Sequence, residues 1–125
     1  MVNKLDRVFS EYIRLRDSKP YEGRYFRCIS CGQVKPFYEG DCGHFIPRTN
    51  MATRFDENNC HMECTMCNRA DVYHMVGYRK NLEKKIGEEG VEELLRKKHT
   101  IVKLSKSDIE DKIKYYKGKI KEFEK

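Results

Sequence analysis

The apolar residues of this chain fall into two periodic ends and an aperiodic middle. Leu5, Val8, Phe9, Tyr12 and Ile13 follow the i, i+3, i+4, i+7, i+8 spacing of one helical stripe. The pattern stops before Ser18-Lys19-Pro20, which predicts a first helix over residues 3–17. At the other end Ile109, Ile113, Tyr116, Ile120 and Phe123 share a helical face, and Ser107-Asp108-Ile109-Glu110 has the form of a capping box opening it. The opposite face of that helix is rich in lysine, for which solvation is the simplest reason. From Tyr21 to Cys67 no helical period persists, and Pro20, Pro36 and Pro47 lie in or at the edge of the stretch. It reads as knuckles, short strands and loops. Helical composition returns from Thr65 to Ile86, with a break expected near Asp71–Val76, and again over Val91–Lys98, with Gly87 and Gly90 between the two.

At 125 residues, 37% of them charged, the chain has room for one small domain but not for a large core, so a staple is expected. No run approaches the ~18 apolar residues of a membrane span. The opening MVNKLDRVFS carries charge where a signal peptide is apolar. The expectation is a soluble, cytoplasmic protein with no membrane partner. Lys and Arg number 26 against 20 Asp and Glu, a net charge of +6, and eight of the arginines lie in residues 1–70. Arginine forks phosphate bidentately, yet this balance suits either a nucleic-acid partner or a solvated helical surface.

Six cysteines without a secretory signal point to metal ligands rather than disulfides. Cys28-Ile29-Ser30-Cys31 and Cys64-Thr65-Met66-Cys67 are two C-x2-C pairs 32 residues apart. In each, a tight turn converges two thiolates, and two such knuckles complete a tetrahedral four-thiolate Zn2+ site. A redox dithiol competes for a single pair, but two copies in a small basic domain favour structural zinc. A closed shell has no open position, so this metal would build the fold and do no chemistry. Cys42 and Cys60 are left over, and read as small, partly buried apolar residues.

Between the knuckles lie Gly40-Asp41-Cys42-Gly43-His44-Phe45-Ile46-Pro47-Arg48 and Arg54-Phe55-Asp56-Glu57-Asn58-Asn59, with Cys64 five residues after Asn59. A His after one knuckle, an Asn before the second and a polar ligand inside the next helix, here Asn68, follow the order of the HNH, or His-Me finger, nucleases. The set resembles junction resolvases of the endonuclease VII type. It is more closely similar to the phage NinG (Rap) recombination proteins, through VFSEYIRLRD, DCGHFIPR, MATRFDENN followed by EC-x2-CNR, and YYKGKIKEF. That resemblance spans nearly the whole chain. It implies a single α+β domain over residues 1–125: helix 3–17, then a zinc-stapled, treble-clef-like ββα-metal core over 24–75, then a helical extension over 76–125. It also implies a structure-directed DNA endonuclease acting on branched recombination intermediates, Holliday junctions or D-loops, in phage or prophage DNA. Other members of the family carry a Cys-rich N-terminal segment that this sequence does not include.

Phosphodiester hydrolysis needs an activated water and a cation on the phosphate and the departing 3′ oxygen. His44, with an ordinary pKa near ~6.5, is the expected general base. Asn59 is expected to hold the loop between the strands and orient His44. Asn68 would offer a carbonyl oxygen to Mg2+ or Mn2+. The usual second ligand directly precedes the base, where this chain has Gly43, and the nearest carboxylate is Asp41. Strand residues three apart face opposite ways, so Asp41 and His44 share a site only if Gly43 or Gly40 marks a bulge; otherwise Asp41 is a turn residue. His61 is either a phosphate donor or extra ligand in the same groove, or a packing residue. Arg48, Arg54 and Arg69 are expected DNA clamps, with plain solvation the alternative, and His74 and His99 lie outside the motif. Symmetrical cutting of a junction would require a homodimer. The competing function is a non-catalytic zinc-knuckle module that binds DNA or a protein partner.

Overall fold

The computed structural model describes residues 2–69 and 71–124, and of residues 71–75 the backbone alone. Helix α1 covers Val2–Ser18, one residue beyond the expected span at each end. Its stripe of Leu5, Val8, Phe9, Tyr12 and Ile13 is buried. Each such side chain taken fully out of water contributes roughly 1.5–3 kcal/mol. Strands β1 (Tyr25–Arg27) and β2 (Val34–Pro36) pair antiparallel across the first Cys knuckle. Strand β3 (Gly40–His44) pairs antiparallel with β4 (Cys60–Cys64), and the loop between them carries the single-turn helix α2 (Met51–Arg54). A second single turn, α3 (Thr65–Asn68), follows β4 directly. The molecule is thus α+β, with two small antiparallel sheets.

Helix α4 runs Asp71–Lys97 with non-helical backbone at Gly87, where φ is +83°, so the expected division at that glycine is a kink inside one long element. The other expected break falls earlier than Asp71–Val76: α3 ends at Asn68, and Asp71 is already helical. Helix α5 covers Lys106–Glu122, and its capping box uses Ser105 and Asp108, not Ser107 and Glu110. Each of Ser105 and Asp108 accepts the other's backbone N–H at 3.0 Å. Among the described residues no helix is long and apolar enough to cross a membrane.

The β3–β4 hairpin sits between two hydrophobic clusters. On one side α1 and α5 pack with Phe55 and Cys60, and Cys42 lies against them; Phe9 meets Tyr116 edge-on at 4.9 Å between ring centres. On the other, Phe45 and Ile46 of the loop and Ile29 of the first knuckle meet Tyr78, Leu82, Val91 and Leu94 of α4. The Tyr78 hydroxyl donates to the Gly43 carbonyl at 2.7 Å, tying α4 to β3. Phe26, Met62, Cys28 and Cys64 form a third cluster that joins the two sheets. The hairpin is therefore gripped from both faces, and the side chains it carries are held on rigid backbone.

Candidate functional site

The two knuckles converge. The Sγ atoms of Cys28, Cys31, Cys64 and Cys67 lie within 4.8 Å of one another, a set that could hold a metal ion such as zinc. The backbone is arranged for thiolates: the Cys31 and Cys64 amides point at Cys28 Sγ, at 3.4 and 3.3 Å. Gly32 closes the first turn at φ +76°, its amide donating to the Cys28 carbonyl at 2.9 Å; a Cβ would strain that conformation. Ile29 donates to the Met62 carbonyl at 3.0 Å, so the first knuckle is also laced onto β4.

His44 ends β3 and lines a cavity of about 410 Å³ together with Asp6, Phe9, Ser10, Cys42, Pro47, Arg48 and Asn68. Its Nε2 lies 3.0 Å from the Arg54 carbonyl oxygen. A carbonyl only accepts, so Nε2 carries the hydrogen and the lone pair of the neutral ring is on Nδ1. Burial pushes the His44 pKa below its ordinary value; Arg48 and Arg54 push the same way, while the Arg54 carbonyl and the Asp6 carboxylate oppose them. The imidazole is thus neutral at pH 7, with one nitrogen committed and the other available as a base.

The loop behind it is pinned by Asn59, which is fully buried at the foot of β4. Asn59 Oδ1 accepts the Ile46 amide at 2.8 Å, and Nδ2 donates to the carbonyls of Ile46 and Thr53, each at 3.0 Å. Asn59 therefore holds both ends of the segment leading to Arg54, whose carbonyl orients His44.

Other expected positions fall differently. No bulge interrupts β3: its five residues pair one to one with β4, from Gly40 opposite Cys64 to His44 opposite Cys60. Asp41 and His44 consequently leave opposite faces. Gly43 and Gly40 serve packing instead, since a Cβ at Gly43 would collide with Glu63 and one at Gly40 with Met62 and Phe26. Asp41 does meet Asn68, whose Nδ2 donates to its carboxylate at 3.3 Å, and Asn68 also lines the His44 cavity. Asn68 and Arg69 are exposed at the end of α3.

His61 takes the second of its two expected readings, that of a packing residue. It stands opposite Gly43, on the face away from His44, and is 2% exposed. Nε2 donates to the Asn58 carbonyl at 2.9 Å, while Nδ1 accepts from Lys85 at 2.8 Å and Arg16 at 3.1 Å. Burial, then the Lys85 and Arg16 charges, lower its pKa to about 3. It is a packed, neutral acceptor on the face away from His44. Arg54 is not a free clamp either: its guanidinium bonds both oxygens of Asp6, at 3.0 and 2.5 Å, and its side chain is 17% exposed. Arg48, 61% exposed and 3.9 Å from Asp6, remains open to an anion. His99 is exposed beyond α4, and the side chain of His74 lies outside the described residues. Sequence reasoning passed over Asp6 and Ser10, which α1 brings to the cavity; no local signal marks Asp6, because its partners Arg48 and Arg54 lie more than forty residues away.

A family model described as "Bacteriophage Lambda NinG protein" matches residues 1–125. Relatives named protein ninG from Escherichia phage 933W and Enterobacteria phage VT2-Sa are each 35% identical over 96 residues, and that of Escherichia phage lambda is 34% identical over 96. Each alignment covers 74% of this chain and 43% of the relative, so the chain spans less than half the length of the curated relatives it matches. No solved structure matches it. With the family model matched from end to end, the chain belongs to the NinG family of bacteriophage proteins.

Proposed function

We propose that this chain is a metal-dependent DNA endonuclease of the His-Me finger kind, with His44 as general base. The observation that carries the reading is the state of His44: neutral, its Nε2–H fixed on the Arg54 carbonyl, and placed on a cavity beside an exposed arginine. The strand, pinned loop, strand and helix from β3 to α3 supply the frame such a finger uses. Nδ1 takes the proton of the attacking water, a step usually worth about 10²–10⁴-fold. Asn59 keeps the loop, and so the imidazole, in register. Arg48 and the exposed Arg69 hold flanking phosphates.

Asn68 lines the His44 cavity, and its carbonyl oxygen would hold a hard cation, Mg2+ or Mn2+, which supplies charge stabilisation to the phosphate and the departing oxygen. Asp41, on the opposite face of β3, accepts the Asn68 amide and would orient it rather than serve as the second ligand. Zn2+ on Cys28, Cys31, Cys64 and Cys67 would be structural. The likeness to junction resolvases extends the reading to branched recombination intermediates. Symmetrical cutting of these calls for a homodimer.

Nicking of supercoiled plasmid and of four-way junctions, with and without Mg2+ or Mn2+, tests this reading. His44→Ala should cut 10²–10⁴-fold more slowly while binding DNA as before. The Asn68→Ala defect should be partly recovered at high Mn2+, and the His44→Ala defect should not. Equal cleavage by wild type and His44→Ala would refute the assignment. Binding without cleavage under every metal condition would favour the non-catalytic module.

A further inference from the structure

We propose that Cys42, His44 and Cys60 form a second metal site, of the soft-donor kind that takes Zn2+, separate from the four-cysteine cluster. The sequence leaves both cysteines as packing residues, and they do pack against the α1–α5 core. The sheet adds a second fact. His44 stands directly opposite Cys60, and Cys42 precedes His44 by two residues on the same face. The two Sγ atoms and a ring nitrogen of His44 lie within 4.8 Å of one another. A tetrahedral zinc with Zn–S near 2.3 Å and Zn–N near 2.0–2.1 Å holds its donors about 3.4–3.8 Å apart. Small side-chain rotations on a regular hairpin suffice to close that gap.

The surroundings fit an ion that arrives from solvent. Cys42 and His44 line the 410 Å³ cavity, whereas Cys60 is buried. Three protein donors leave a fourth position for water, which the cavity can supply. Two thiolates and an imidazole prefer Zn2+ to Mg2+ or Mn2+. Two thiolates also balance its charge, so no net charge is buried as the two thiol protons leave to solvent. One consequence rests on reading His44 as the base: Zn2+ held here occupies the imidazole that hydrolysis needs, so Zn2+ would switch the nuclease off.

Metal counting on the full chain, kept reduced with a phosphine, tests the site without reference to activity. Wild type at saturating Zn2+ should hold two equivalents. Co2+ substitution should show the intense thiolate charge-transfer absorption of the four-cysteine centre and a weaker second component from a two-thiolate centre. Cys42→Ala and His44→Ala should each keep the first component and lose the second equivalent, with thermal melts close to wild type. Cys42, being half-buried, is preferred to Cys60 for this purpose. One equivalent in wild type, or two retained in Cys42→Ala, would overturn the proposal. In cleavage assays Zn2+ should suppress the Mg2+-supported rate of wild type far more than that of Cys42→Ala relative to its own rate. Absence of cleavage in every variant would remove the nuclease reading and the inhibitory consequence with it, while the metal count still decides the site.

Discussion

Replacing Asn59 by Ala should loosen one loop by a calculable amount. The side chain is fully buried and makes three hydrogen bonds, two to Ile46 and one to Thr53. The Thr53 carbonyl keeps a second donor, the Asp56 amide at 3.2 Å. The amide and carbonyl of Ile46, a residue itself 4% exposed, lose the bonds that Asn59 makes to them. A buried polar group left unsatisfied costs about 1–3 kcal/mol, so two cost roughly 2–6 kcal/mol, with the lower half applying if water enters the space. Against a domain stability of about 5–15 kcal/mol, a loss near 3 kcal/mol shifts the denaturant midpoint plainly while leaving the slope unchanged. The measurement is urea unfolding of zinc-saturated protein with hydrogen exchange at the Ile46 amide. Exchange there should accelerate by about 10²-fold, which is the same 3 kcal/mol expressed as an opening equilibrium. A loss below 1 kcal/mol with Ile46 still protected would show that Asn59 is not what holds this loop.

Three further outcomes are expected. His61 titrates at about 3 when folded and near ~6.5 when unfolded, so between those values only the unfolded chain takes the proton. Stability is full above about pH 6.5 and declines as pH falls, by about 3 kcal/mol at pH 4 at 1.36 kcal/mol per pH unit; His61→Gln, which keeps a donor and an acceptor, should flatten that slope in pH-dependent melts. Arg54→Ala should destabilise the fold by about 2 kcal/mol, because its charged bonds to Asp6 are half-hidden from water, whereas Arg48→Ala should leave the melt unchanged and reduce the log–log salt slope of DNA binding by about 1. Chelation of the four-cysteine centre should unfold the chain cooperatively, since a four-thiolate zinc contributes on the order of 10 kcal/mol; a surviving cooperative melt after complete metal removal would count against a structural role.

What could be read in advance follows from the range of the interactions. The stripes of α1 and α5 are local and periodic, so they were legible to within two residues. The convergence of the knuckles was legible too, because paired C-x2-C turns constrain one another whatever lies between. The capping box slipped because Ser105 and Ser107 both precede an acid by three residues, and only the backbone decides between them. Register was the main loss. His44 and His61 are each one position from a glycine or cysteine on strands whose alignment no local pattern reports. One residue of slip turns a side chain to the other face. With Gly43 opposite His61, and room at Gly43 for buried Glu63, His61 faces α4 and the groove side belongs to His44. Asp6 was hidden for a similar reason, since on α1 it is one polar residue among several until Arg54 arrives from 48 residues away.

Arg54 is the joint of this site, and Asp6 acts on His44 through it twice. The Arg54 carbonyl takes the Nε2 hydrogen, while the guanidinium of the same residue is drawn off to α1 by Asp6. That cation adds to burial and to Arg48 in weakening the ring as a proton acceptor. The carboxylate counters that push, and by anchoring Arg54 it also keeps the carbonyl where the ring is oriented. On the proposed reading of His44 as a base, the ring has to be neutral at pH 7 and still basic enough to take a proton, and both corrections serve that. Arg48, one short loop away and more than half exposed, keeps the charge a phosphate would meet. The two arginines that looked alike along the chain thus divide the work: Arg54 positions the imidazole from within, and Arg48 faces outward.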